Sequence, residues 1–372
     1  MVPNGVTRFW VMRRQYVRVV RRWWLIAVLL LVVAAACSDS DSDDTGTAGD
    51  DADLVRLNEI QVLGTHNSYR GPMPRALLDL VTQFDEATGL GLDYAHPPLE
   101  VQLEQQGARQ LELDVWSDPD GGLYADRRGN TLIGEPVASG EPALDEPGFK
   151  VLHSADIDYV TSCLTFVACL EDVKAWSSDH PRHLPVMILV EAKFTPTPDP
   201  AGLGFVDPPD FDAATFAALD AEIRSVFDDD EMVLPRDRVD GVWPTLEDSR
   251  GRVLFALDND VLTDVYEGDI LFTNRTGFVK LNDPIADAVR IREDVRAGYV
   301  VRTRADAETR QARDNDPAMR DAALLSGAHW VSTDYLSPDT RFSDYVVALP
   351  GGGIARCNPV VAPDCDVDQL SE

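Results

Sequence analysis

Lysine is scarce in this sequence: its 372 residues hold four, Lys150, Lys174, Lys193 and Lys280. Basic residues number 33 against 64 Asp and Glu, giving a formal net charge of −31. A surface of that sign repels polyanions, which argues against nucleic-acid binding. It suits cation binding or a salty surrounding. Six arginines fall in the first 36 residues, where there is no acid, and without that segment the balance is 27 against 64, or −37. Nor is there a membrane-spanning signature. The apolar run Trp23 to Ala36 has 14 residues, whereas a spanning helix needs about 20. No internal repeat is visible. Hydrophobic residues are 44% and charged residues 26%, the composition of an ordinary globular chain. That excludes a disordered chain, a collagen-like repeat, a multi-span membrane protein and a small disulfide scaffold. The length allows about two domains or one α/β barrel with insertions.

What is present at the N-terminus reads as an address. Arg8, Arg13, Arg14, Arg18, Arg21 and Arg22 precede the apolar run, whose length suits a signal-peptide core of about 7–15 residues. The run ends Ala34-Ala35-Ala36-Cys37. Small residues directly before a cysteine resemble the lipobox of bacterial lipoproteins, which implies a signal peptide over 1–36 and lipidation at Cys37. The chain is then expected to be exported and anchored by lipid at the cell surface. Residues 37–53 are acidic and small, with no apolar periodicity. They are expected to form a disordered tether. Their Asp-Ser alternation lacks the Gly and distal Glu of a calcium loop. The folded domain is expected over 54–372.

Four further cysteines, Cys163, Cys169, Cys357 and Cys365, are expected to form disulfides in an exported chain. Three connectivities are possible, of which two local bridges are the simplest. Neither pair has zinc-ligand spacing.

From residue 58 onward short β-branched runs alternate with helical patterns. Strands are expected at 59–66, 110–116, 149–153, 185–193, 252–258, 277–282, 299–304 and 329–334. Helices are expected at 165–178, 212–227, 284–297 and 316–326. Eight strands with intervening helices predict an α/β fold, a TIM-like (β/α)8 barrel in one catalytic domain. An open doubly wound sheet usually shows a Gly-rich first turn, and none follows the first strand. The Pro-rich stretch 195–210 reads as a loop, and the tail from about 338 as a strapped surface segment.

Polar residues collect at the expected strand ends, where barrels carry their active sites. The first strand ends in His66-Asn67-Ser68-Tyr69, the second carries Glu112-x-Asp114, the third ends in His153, and the fourth carries Glu191-x-Lys193. Residues two apart on a strand share a face, so Glu112 pairs with Asp114 and Glu191 with Lys193. Acids in apolar strands are costly unless paired, solvated or metal-bound. Three carboxylates and the Asn67 amide oxygen form a hard, oxygen-only donor set. It favours Ca²⁺, with Mg²⁺ second, over zinc. His66 and His153 can accept and donate protons near neutral pH. A metal with two histidines suits phosphodiester cleavage.

These residues resemble the catalytic core of calcium-dependent phosphoinositide phospholipases C, most closely the secreted bacterial members. The resemblance spans roughly 58–360, including Arg302-Thr303-Arg304-Ala305-Asp306 and Gly327 to Tyr335. It implies a TIM-like barrel that cleaves the glycerol–phosphate bond of phosphatidylinositol with the inositol 2-hydroxyl as nucleophile. It implies Asn67, Glu112, Asp114 and Glu191 as Ca²⁺ ligands. It also implies His66 and His153 as the acid–base pair, with His153 as general acid. Lys193, Lys280, Arg304 and Tyr335 lie at later strand ends and are candidates for binding phosphate or inositol hydroxyls. Arg302 is a weaker candidate on the Arg304 face, and His96, His180, His183 and His329 read as structural. The expected partners are a phospholipid or soluble phosphodiester substrate, and a membrane met through the lipid anchor. The protein is expected to be a monomer. A glycerophosphodiester phosphodiesterase, which also combines two histidines with Glu-x-Asp, is the competing enzyme. An inert ligand-binding lipoprotein is the competing non-enzyme.

Overall fold

The structure is a computed structural model that describes residues 54–372. The expected signal peptide, Cys37 and the acidic tether lie outside the described residues. The strands in chain order are β1 (Ile60–Thr65), β2 (Gln110–Trp116), β3 (Lys150–Val151), β4 (Val186–Lys193) and β5 (Val253–Leu257). They are followed by β6 (Leu271–Phe272), β7 (Phe278–Lys280), β8 (Val300–Arg304), β9 (Trp330–Thr333) and β10 (Ala355–Cys357). Eight of them pair in parallel in the order β6-β5-β4-β2-β1-β9-β8-β7. The two ends of this path, β6 and β7, are consecutive in the chain. A tight turn joins them, with Gly277 N and Phe278 N donating to Thr273 O at 3.1 and 3.0 Å. The result is a nearly closed parallel barrel of the expected TIM-like kind.

Alternation along each strand sorts the core into two layers. One face packs inside the barrel, where Val62, Met187, Leu189, Leu254, Ala256, Phe272, Phe278, Val300 and Trp330 form one cluster. The other face carries Leu111, Leu113, Val115, Ile188, Val190 and Phe255. These meet α1 (Phe166–Asp179) through Phe166, Leu170 and Val173, and α2 (Ala213–Val226) through Phe216, Leu219 and Ile223. Each such side chain contributes about 1.5–3 kcal/mol on burial. Both helices start where the sequence provides a cap. The Thr165 hydroxyl accepts from Ala168 N at 3.1 Å, and Asp212 accepts from Thr215 N at 2.8 Å. On the other flank α3 (Ala288–Arg296) and α4 (Ala318–Ser326) cover β8 and β9.

One expected strand differs from what is found, and one barrel strand was not expected. The segment 149–153 is not a barrel strand. Only Lys150–Val151 is extended, and it runs antiparallel to the end of β2, with Val115 opposite Val151 and Trp116 opposite Lys150. The barrel position instead goes to Leu271–Phe272, a two-residue strand too short to show a period. Gly64 is needed where β1 meets β2, because a Cβ there would lie 2.3 Å from Gln110 O.

The tail is strapped as expected. β2 begins opposite Gly64, so the start of β1 is free on that side, and β10 pairs with it antiparallel, Ile60 opposite Cys357. The disulfides are the two local ones, Cys163–Cys169 and Cys357–Cys365. Among the described residues no helix is long and apolar enough to cross a membrane.

Candidate active site

At the C-terminal end of the barrel the inward positions change from apolar to charged. Parallel register places Asp114 beside Glu191, and Trp116 beside Lys193. One carboxylate oxygen from each of Glu112, Asp114 and Glu191 lies within 4.8 Å of the others. Glu112 and Asp114 are buried. Burial pushes the Glu112 pKa up to about 7, against the opposing pull of Arg302. Burial likewise raises Asp114, against the pull of Lys193. Three carboxylates so close ionise together only beside a cation.

Asn67 is the fourth residue of the expected donor set. Two residues beyond β1 it takes a left-handed conformation, φ 48°. Its neighbour Ser68 is tied to β2, with Ser68 N donating to Glu112 O at 2.9 Å and Glu112 N to Ser68 Oγ at 2.8 Å. The Asn67 amide nitrogen donates to the Tyr94 hydroxyl at 3.1 Å, while its Oδ1 is buried without a hydrogen-bond partner. Neither Asp114 oxygen makes a well-directed hydrogen bond, although Lys193 Nζ lies 3.1 Å from Oδ2. Orphaned buried oxygens beside a carboxylate cluster fit a hard divalent cation. Asn67, Glu112, Asp114 and Glu191 are the residues that would hold it.

Both histidines point Nδ1 at a buried carboxylate. His66 Nδ1 lies 3.1 Å from Asp334 Oδ1 and 3.2 Å from the Tyr94 hydroxyl, and its Nε2 is 3.9 Å from Glu112 Oε1. Burial, then the nearby Arg304 charge, lowers the His66 pKa to about 3, so this imidazole is neutral. Asp334 stays ionised. Burial alone would raise its pKa, but His66, His96 and Arg304 outweigh it. His153 Nδ1 lies 2.7 Å from Asp158 Oδ2. His153 follows β3, so the antiparallel return along β2, not a barrel strand, sets its place.

The cations are all paired within the site. Lys193 bridges Asp114 and Glu191, at 3.1 and 3.2 Å. Lys280 pairs with Asp258, Arg304 with Asp334 at 3.2 Å, and Arg302 with Glu112. Arg302 is buried, and its Nε donates to Ser332 Oγ at 2.8 Å. Tyr335 is a correction to the expected site. It faces the outer layer, buried with Leu63, Val331 and Val347 and edge-on to Tyr345 at 5.7 Å. The strand period puts Asp334 inward, so its successor points out. Sequence reasoning missed Asp334 as the partner of His66, and Asp258 as that of Lys280. Both follow from the two-residue period through Ser332 and Ala256. It also missed Tyr94, Arg70 and Asp158, which lie in loops with no periodic signal. His96 Nε2 donates to His66 O at 2.9 Å, and His183 and His329 bond to backbone carbonyls.

A parallel barrel with an oxygen-rich cation cradle and histidines at its C-terminal mouth defines a class of metal-assisted hydrolases. The match to known proteins narrows it. The model of the Ca²⁺-dependent phosphoinositide phospholipase C family matches residues 55–359, and the chain belongs to that family. It is therefore a phosphodiesterase, and Ca²⁺ is its cofactor. A search of curated proteins found no match. Among solved structures, a calcium-dependent phosphoinositol-specific phospholipase C from Pseudomonas sp is similar at 17% identity. It covers 83% of this chain and 97% of that one, with a TM-score of 0.46. A Ca²⁺-dependent phosphatidylinositol-specific phospholipase C from Streptomyces antibioticus has 17% identity, coverage of 76% and 95%, and a TM-score of 0.41. The phosphatidylinositol-specific phospholipase C from Listeria monocytogenes has 11% identity, coverage of 78% and 92%, and a TM-score of 0.45.

Proposed function

We propose that the protein cleaves phosphatidylinositol, or a phosphodiester closely related to it, with His66 and His153 as the proton-transfer pair. The observation that carries this reading is the meeting of Glu112, Asp114 and Glu191 within 4.8 Å beside His66, whose Nε2 is 3.9 Å from Glu112. Ca²⁺ held there would neutralise charge on the phosphoryl oxygens and ease ionisation of the attacking hydroxyl. The inositol 2-hydroxyl oxygen forms the new bond to phosphorus as the bond to the glycerol oxygen breaks. His66 is neutral and its Nδ1 faces an ionised Asp334, so Nε2 is the atom available to take the hydroxyl proton. His153 returns a proton to the glycerol oxygen. The products are diacylglycerol and a cyclic inositol phosphate. Lys193, Lys280 and Arg304 are then placed to exchange their carboxylate partners for phosphate or inositol hydroxyls.

The two disulfides and the Arg-rich leader support export, with Cys37 as a lipid anchor ahead of a tether over 37–53 and a monomeric domain over 54–372. The test incubates the purified full chain with phosphatidylinositol and, separately, glycerophosphoinositol, with Ca²⁺ or chelator, followed by phosphorus NMR. Calcium-dependent cyclic inositol phosphate is expected. Glycerol 3-phosphate would transfer the protein to the glycerophosphodiesterase reaction, and no product from either would remove the inositol headgroup from the reading.

A further inference from the structure

The loop after β3 holds a polar chain that the proton-transfer scheme does not use. Asp158 is buried, and its Oδ2 accepts from His153 Nδ1 at 2.7 Å and from Arg70 Nε at 2.8 Å. Arg70 Nη2 is 2.7 Å from the same oxygen. Arg70 is itself fully buried, and donates to the carbonyls of Tyr94 and Leu92. Its guanidinium lies 4.4 Å over the Tyr94 ring. The Tyr94 hydroxyl in turn meets His66 Nδ1 at 3.2 Å and Asn67 Nδ2 at 3.1 Å. One continuous network therefore runs from His153 through Asp158, Arg70 and Tyr94 to His66. The loop that carries Asp158 is closed on itself, with Asp158 N donating to Ser154 O at 2.9 Å and Ser154 N to Asp158 O at 3.0 Å.

We propose that Asp158, locked in place by Arg70, is the positioning residue of His153, holding its proton on Nδ1 so that Nε2 is the atom that exchanges protons with substrate. The inference rests on the reading of His153 as a proton-transfer group. An ionised carboxylate only accepts. Burial would raise the Asp158 pKa, but the Arg70 charge, joined by His153, leaves it below the usual range. The nitrogen that faces it must therefore carry the hydrogen, and the tautomer follows. Arg70 prevents the carboxylate from turning away, because its other nitrogens are fixed to backbone carbonyls. The contact to Tyr94 also makes the spacing of the two histidines a property of one rigid assembly.

The test is nitrogen-15 NMR of the imidazoles in the full chain, with the His153 signals assigned by a His153→Gln variant, alongside kcat for Asp158→Asn. The wild type is expected to show the Nδ1–H tautomer for His153. In Asp158→Asn the side-chain amide can donate to Nδ1, so the Nε2–H tautomer should grow. A fall in kcat of about 10²–10⁴-fold is expected with KM little changed. In a His153→Ala background the same substitution should cause no further loss of kcat, whereas a merely structural residue would reduce kcat again. An Nε2–H tautomer in the wild type overturns the proposal whether or not the variant folds. Unchanged kcat in a folded Asp158→Asn also overturns it. If the wild type turns over no phosphodiester, the reading of His153 as a proton donor fails, while the NMR result still decides what Asp158 does.

Discussion

Asp114 shows most directly why this site requires a cation. It is wholly buried, sits in register with Glu191, and has Lys193 as its ion-pair partner. A divalent ion relieves both the repulsion and the missing hydrogen bonds. Asp114→Asn keeps the shape and removes the charge. Its Ca²⁺ affinity should fall at least as far as loss of an outer-shell partner would cause, about 10–100-fold, as titration calorimetry would show. An affinity equal to the wild type would mean that the ion sits elsewhere. Tyr335 provides the opposite case. Its hydroxyl has no hydrogen-bond partner and its ring packs in the outer layer. Tyr335→Phe should leave kcat/KM unchanged and should not destabilise the fold, because it removes a buried hydroxyl that has no partner. A loss of substrate affinity in that variant would place the side chain at the mouth after all.

Among the elements, β9 shows what the strand pattern does and does not reveal. His329 precedes it, and its Nδ1 accepts from Val301 N at 3.0 Å while Nε2 meets Asn58 O at 2.8 Å. Burial lowers its pKa to about 4 from the ordinary 6.5. The folded state thus binds the proton less tightly than the unfolded chain. The resulting stability is fully present above about pH 6.5 and is lost as pH falls toward 4, roughly 3 kcal/mol in all. Thermal melts between pH 7 and 4 should show a smaller acid loss in His329→Gln than in the wild type. Equal slopes would mean that the histidine is not buried neutral. The same strand, Trp330–Thr333, leads into Asp334, and a period of two counted from Ser332 points to Asp334 as the inward residue, although the residue expected at the site from the sequence was Tyr335. Long regular strands such as β2 and β4 were legible for that reason, and with them Glu112, Asp114, Glu191 and Lys193. The two-residue strands were not, because β6 pairs through neighbours in space and β3 is made by a return along Trp116 and Val115. His153 was legible as a residue but not in its placement. Asp158 and Arg70 lie in loops, whose partners depend on the folded chain rather than on any spacing.

For the whole molecule, charge is the dominant property beyond the barrel. If the substrate is the proposed phosphatidylinositol, the net charge of −31 meets an anion carried on a membrane surface. The site cations do not offset this, since Lys193, Lys280, Arg302 and Arg304 each already face a carboxylate. Long-range repulsion is therefore expected to slow encounter with vesicles, and salt screens it over a Debye length of about 10 Å at 0.1 M. Turnover of phosphatidylinositol vesicles should rise as monovalent salt increases from about 10 mM to about 150 mM at fixed free Ca²⁺, where the Debye length shrinks from about 30 to about 8 Å. The increase should be steeper when phosphatidylserine is added to the vesicles. It should be weak for soluble glycerophosphoinositol, which presents one charge rather than a charged plane. Inhibition by salt on anionic vesicles would mean that a local positive face around the mouth outweighs the molecule's overall field. An increase of equal size on both substrates would locate the salt effect at the site itself, in the ion pairs that substrate must open.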